Sequence, residues 1–280
     1  MILARLFGPL LAAGVLAVVP DPQAAPVRAT PSTRSTPARA SRAETPMRVY
    51  ATAADTEDLP ALAARLAASR QRVEAFFDGA FPEPVTVFVH PDRAAFTHSF
   101  PREWGMTSTQ CWMVAYGVAD ALSLLSPRAW PAESCEHDPD DSAHVDGILA
   151  HELVHVFHGQ HNATRDFTGI EEDVGWFAEG LAVYASGQLE DDDHADAARE
   201  ALRNEAGPTT LASAWSGRYR YGVCGSLAAF LDHRLGREGL TALLAATSLE
   251  QLLAPTGMAE PELLEAWEAW VLSSATESSR

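Results

Sequence analysis

The sequence predicts an α+β domain, with a small mixed sheet in its N-terminal part followed by a helical C-terminal half. Three observations predict it. Residues 84–90 read Pro-Val-Thr-Val-Phe-Val-His, an alternating β-branched strand. Residues 111–125 are again strand-like and are interrupted at Tyr116-Gly117 and Ala119-Asp120, as in a hairpin. Beyond residue 141, apolar side chains recur at helical spacing almost to the end of the chain. No internal repeat or later linker divides residues 47–275, which are read as one domain.

Composition narrows the function. The chain of 280 residues is 47% apolar and 21% charged, as in ordinary soluble proteins, and its formal net charge is −18. Arg5, Arg28, Arg34, Arg39 and Arg42 face only Asp21 and Glu44 within residues 1–46, so the remainder is more acidic still. Such a surface is repelled by phosphate backbones, and no nucleic-acid partner is expected. Every one of the 20 basic residues is Arg, which excludes lysine nucleophiles and Schiff bases.

Taken in order, residues 1–25 read as a secretory signal peptide. Arg5 precedes the apolar run 6–19, and small residues follow at Ala24-Ala25. The run is shorter than the roughly 20 residues that span a bilayer, so no stable membrane insertion is expected once the signal is removed. A secreted, periplasmic or cell-surface location follows. Residues 26–46 are Pro, Ala, Ser, Thr and Arg with almost no large apolar side chain, which makes them a flexible linker. In an oxidising compartment Cys111 and Cys135 can pair. Cys224 is left over in an apolar helical stretch, as a buried small hydrophobe.

Within the domain, residues 59–77 have helical spacing, with Pro60 in the first turn. Pro91-Asp92 turns into a short helix at 94–100. Asp141 or Ser142 caps a helix running to about Phe157, which Gly159-Gln160-His161-Asn162 would end. Helices are expected at 171–186, at 222–235 stopping at Gly236, at 238–246 and at 261–273. Trp104, Trp112, Trp130 and Trp215 fit core or strand positions first and a cleft lining second.

The chemistry gathers at His151-Glu152-Leu153-Val154-His155. On a helix, residues four apart share one face, so His151 and His155 can offer two imidazole nitrogens to one metal ion. Glu152 sits one step round, where a carboxylate can serve as general base for a metal-activated water. A catalytic zinc takes a third protein ligand. Glu179 is one candidate, because it stands between Phe177 and Leu181 in an apolar helical segment where an unpaired carboxylate would be costly. His161 is the other, completing a metzincin-like spacing, although the usual glycine position is occupied by His158. If Glu179 is the ligand, His158 and His161 are polar residues at the helix end. Asp146, Glu172 and Asp173 are candidate acceptors for the second ring nitrogens of the histidines.

His151-Glu152-Leu-Val-His155 followed by Trp176-Phe-Ala-Glu179-Gly resembles the gluzincins, and within them the peptidase-MA-like metallohydrolases and, more distantly, zinc aminopeptidases. The segment Tyr221-Gly-Val-Cys-Gly-Ser-Leu-Ala-Ala-Phe-Leu-Asp-His-Arg-Leu-Gly236 adds to the likeness. The resemblance implies a zincin-like domain with an edge strand over the HExxH helix. It also implies one catalytic Zn2+ on His151, His155 and Glu179, Glu152 as general base, and Tyr221 as hydrogen-bond donor to the oxyanion. Tyr219, two residues away, stays open for that last role. Peptide or protein substrates follow. The interval from His155 to Glu179 is longer than in the aminopeptidases, so 159–170 must hold an extra loop. The G-x-M-E-N motif that binds a substrate amino terminus is absent, which leaves endopeptidase activity open. A secreted zincin-fold domain that binds without turnover is the competing expectation.

Overall fold

The computed structural model describes residues 47–100, 105–190 and 192–273. The expected signal peptide and linker lie outside the described residues, as does Trp104. The sheet is built from four short strands in the order β1-β2-β4-β3. Strand β1 (Met47–Tyr50) runs parallel to β2 (Val85–His90), and β2 runs parallel to β4 (Ala121–Leu125). Strand β3 (Ala115–Val118) closes the sheet as an antiparallel edge, with Gly117 opposite Leu122. Ala119-Asp120, one of the two interruptions read from the sequence, makes the two-residue connection between β3 and β4, while Tyr116-Gly117, the other, lies inside β3. The sheet is therefore mixed, as expected. Its parallel pairs need crossovers, the first through α1 (Leu59–Phe76), the second through α2 (Arg93–Ser99) and the β3 strand. Val85, Val87 and Val89 are buried while the residues between them are less so, which is the alternation read from the sequence.

The helical half begins with the single turn α3 (Trp130–Glu133) and continues with α4 (Ser142–His161) and α5 (Glu171–Ser186). The short helices α6 (Asp192–Ala195), α7 (Ala197–Arg203) and α8 (Leu211–Ala214) lead to α9 (Arg220–Ala242). Helix α9 breaks at Gly236, where φ is 71° and ψ is 166°, so the expected stop is present as a break between two helical segments. Helices α10 (Leu249–Leu253) and α11 (Glu260–Ser273) complete the chain; α10 was not foreseen.

Asp141 caps α4, its carboxylate accepting the Ala143 and His144 N–H groups at 3.1 Å each. The helix runs about one turn further than expected. Gly159 does not stop it, because this glycine serves packing: a Cβ there would lie 2.4 Å from the Arg165 carbonyl oxygen and 2.9 Å from the Ala119 nitrogen. The turn comes at Asn162, whose amide donates to the carbonyls of Leu244 and Ala246 at 3.0 and 2.8 Å.

One continuous hydrophobic core runs from Leu62 to Val271. Phe77 stacks on Phe157 with ring centroids 4.5 Å apart, joining α1 to α4. Trp130 is a core residue, its indole N–H bonded to the Leu125 carbonyl at 2.9 Å. Cys111 and Cys135 form a disulfide, and Cys224 is a buried free thiol, both as expected. Among the described residues, no helix is long and apolar enough to cross a membrane.

Candidate metal centre

Helix α4 presents His151 and His155 on one face, one turn apart, and their Nε2 atoms lie 3.2 Å from each other. Helix α5 brings Glu179 opposite them, one oxygen 3.5 Å from His151 Nε2 and the other 3.7 Å from His155 Nε2. All three side chains are buried, Glu179 to 5% exposure. This cluster of two histidines and a carboxylate could hold a metal ion. The donors suit one: ligands about 2.0–2.1 Å from a tetrahedral zinc stand roughly 3.3 Å apart, and the three separations here run from 3.2 to 3.7 Å. Burial works against ionising Glu179, but His155 and His151 outweigh it and hold the carboxyl well below the usual carboxylate range. Among the described residues its ion-pair partners are those two histidines and no arginine.

The tautomer of His151 is set from the turn just past α5. Gln188 Oε1 accepts from His151 Nδ1 at 2.8 Å, which leaves the Nε2 lone pair facing Glu179. The Ser186 hydroxyl, whose proton goes to the Val183 carbonyl at 3.1 Å, lies 3.2 Å from Gln188 Oε1. The three acids expected in this role do something else. Asp146 pairs with Arg65 at 2.7 Å, while Glu172 and Asp173 are exposed in the first turn of α5, near the positive end of its dipole.

Glu152, one step round α4 from His151, faces edge strand β3. The Gly117 N–H faces its carboxylate. Strand and helix approach so closely that a Cβ on Gly117 would lie 2.2 Å from the Glu152 carbonyl oxygen. Burial pushes the Glu152 carboxyl up to about 7, opposed by His151 and the Gly117 N–H and reinforced by the charge of Glu179. A cation in the cluster would act against that rise.

The two candidate tyrosines separate cleanly. Tyr221, in the first turn of α9, has its ring centroid 6.3 Å from that of His151. Burial raises its phenol pKa, and the Glu179 and Glu152 charges add to the rise while Arg220 opposes it. The Tyr219 hydroxyl instead accepts from the Asn204 amide at 2.9 Å, just past α7. Of the pair, Tyr221 is the one beside the cluster.

His161 lies outside it. Because α4 continues through residue 161, this side chain is carried off the ligand face; it is exposed, with Nδ1 2.8 Å from the Phe157 carbonyl oxygen. His158 is buried, not a polar helix-end residue, with its ring centroid 4.6 Å from Phe167 and 5.7 Å from Phe177. Neither of its nitrogens has a hydrogen-bond partner among the described residues; the Leu244 carbonyl is near without bonding geometry. Sequence reasoning missed Gln188 and the role of Gly117. A glutamine just after a helix-ending glycine carries no local signal of what it faces. Compared with known proteins, the chain matches no family model and no curated sequence.

Proposed function

We propose that this chain is an exported zinc-dependent peptidase of gluzincin type, built on a zincin-like domain. The observation that carries the reading is the convergence of His151, His155 and Glu179 with Glu152 one residue away, set against an edge strand. His151, His155 and Glu179 would hold the ion. Bound there, Zn2+ would supply Lewis acidity, lowering the pKa of water to about 7 and polarising a carbonyl. Glu152 takes the proton of the attacking water and passes it to the leaving amine. Tyr221, whose phenol stays protonated, donates a hydrogen bond to the oxyanion, an effect typically worth about 3 kcal/mol. Strand β3 is an edge of the sheet among the described residues, and its backbone would offer groups to which an extended peptide can pair as an added strand. The disulfide suits an oxidising compartment.

The test is metal analysis together with cleavage of a peptide library by the mature domain. Stoichiometric zinc is expected in the parent chain and in Glu152→Gln and His161→Ala, but not in Glu179→Ala. Cleavage should vanish in Glu152→Gln. Zinc retained by Glu179→Ala would overturn the ligand set. Zinc without any cleavage by the parent chain would leave a binding domain.

A further inference from the structure

Arg220 opens α9 immediately before Tyr221. Its guanidinium carbon lies 4.9 Å from the centroid of the Tyr221 ring, 5.5 Å from that of Trp215 and 5.7 Å from that of Trp112. Trp112 belongs to the segment leading into β3 and is 37% exposed, unusual for so large an apolar side chain. The cation therefore spans the two walls of the site, edge-strand side and α9 side, one phenol away from the carboxylates of Glu152 and Glu179.

Among the described residues it has no acid partner. Arg65, Arg128, Arg165, Arg199 and Arg237 each pair with at least one carboxylate. Among the described residues none pairs with Arg220, whose contacts are the Tyr221 hydroxyl and a long 3.4 Å bond to the Gly217 carbonyl. Held beside the site with no acid partner among the described residues, the Arg220 fork can serve a ligand. A guanidinium carries five N–H donors in a planar fork that matches a carboxylate, and aromatic neighbours orient that fork while leaving its edge open.

We propose that Arg220 sets the specificity of this site by binding a carboxylate of the peptide substrate. The inference rests on the peptidase reading and names the substrate class within it. The overall negative charge of the domain does not oppose it, since exposed charges are screened beyond about 8 Å at physiological salt while the fork acts in contact. The carboxylate has two possible sources, the C-terminus of the substrate or an Asp or Glu side chain.

Three probes distinguish them: an N-acetylated alanine tetrapeptide as the free acid, its C-terminal amide, and the amide with Asp as its last residue. Binding to the zinc-loaded Glu152→Gln protein is read by calorimetry and by the tryptophan fluorescence of Trp112 and Trp215. One or both acids should bind about 10–100-fold tighter than the neutral amide, and the tighter of the two identifies the source. Arg220→Ala should erase that preference without loss of zinc, and Arg220→Gln, which keeps most of the aliphatic stem among the rings, does the same should alanine fail to fold. Equal binding of all three probes, or a preference that survives both substitutions, overturns the proposal. Hydrolysis of the same probes by the parent chain is scored separately. Selective binding without hydrolysis would overturn the peptidase reading and leave carboxylate recognition standing.

Discussion

Gln188 Oε1 stands 2.8 Å from His151 Nδ1 and thereby decides which nitrogen of that ring faces Glu179. A neutral amide does this better than an acid would in the absence of metal, because a second carboxylate near Glu179 would add like charge to a buried site. Removing the amide in Gln188→Ala frees the ring to change tautomer and rotate. Zinc affinity should fall about 10–100-fold, as is usual for such outer partners, in a competition titration against a chelating dye. Unchanged affinity would mean that packing alone orients His151.

Gly117 and Glu152 make a second prediction. Gly117→Ala would place a methyl group 2.2 Å from a backbone oxygen that belongs to α4, so strand or helix must move. The expected loss is about 1–3 kcal/mol, as for other overpacked sites, read from the urea midpoint. Cleavage should fall as well, because the Gly117 N–H that faces the Glu152 carboxylate and opposes the rise of its pKa shifts with the strand. An unchanged midpoint would show that the interface has slack.

Acid sensitivity follows from two buried imidazoles. Burial depresses His158 to about 3 and His90 to about 4, from an ordinary value of 6.5. Above pH 6.5 both are neutral whether the chain is folded or not, and they contribute no pH dependence. As the pH falls below 6.5 the unfolded chain takes up protons that the folded one refuses, and stability is lost until each folded pKa is passed. By pH 5 the loss is about 2 kcal/mol for each residue. With chelator present to remove metal effects, His158→Leu should flatten the decline in melting temperature between pH 7 and pH 5. An equally steep decline in that variant would place the proton uptake elsewhere.

The Cys111–Cys135 bridge closes a loop of 24 residues. On the chain-entropy estimate it stabilises the domain by about 3 kcal/mol. Replacing both cysteines with serine should lower the urea midpoint accordingly, and reductant should then have no further effect on the variant. A parent chain whose stability ignores reductant would count against the bridge.

The sequence by itself determined the parts whose logic is local. Spacing of four put His151 and His155 on one helical face, alternation made 85–90 a strand, and an acid among Phe177 and Leu181 marked Glu179 as a buried carboxylate with business there. The Ala119-Asp120 break located the hairpin. Each rests on a period or a burial cost that a short window reveals.

Only the tertiary structure decided the rest, because those choices depend on what another element places nearby. Gly159 looks like a helix stop from its neighbours, yet it exists for close contact with Ala119 and Arg165, so the helix passes through it and carries His161 away from His151, His155 and Glu179. Charge suggested Asp146, Glu172 and Asp173 as supports for the histidines, but Arg65 and solvent claim them and Gln188 takes the position. The resemblance pointed to Tyr221 and left Tyr219 open; the packing of α9 against α5 and α7 turns Tyr221 toward His151 and Tyr219 toward Asn204. The same packing sets Arg220 between Trp215 and Trp112, residues about a hundred positions apart whose proximity no local pattern encodes.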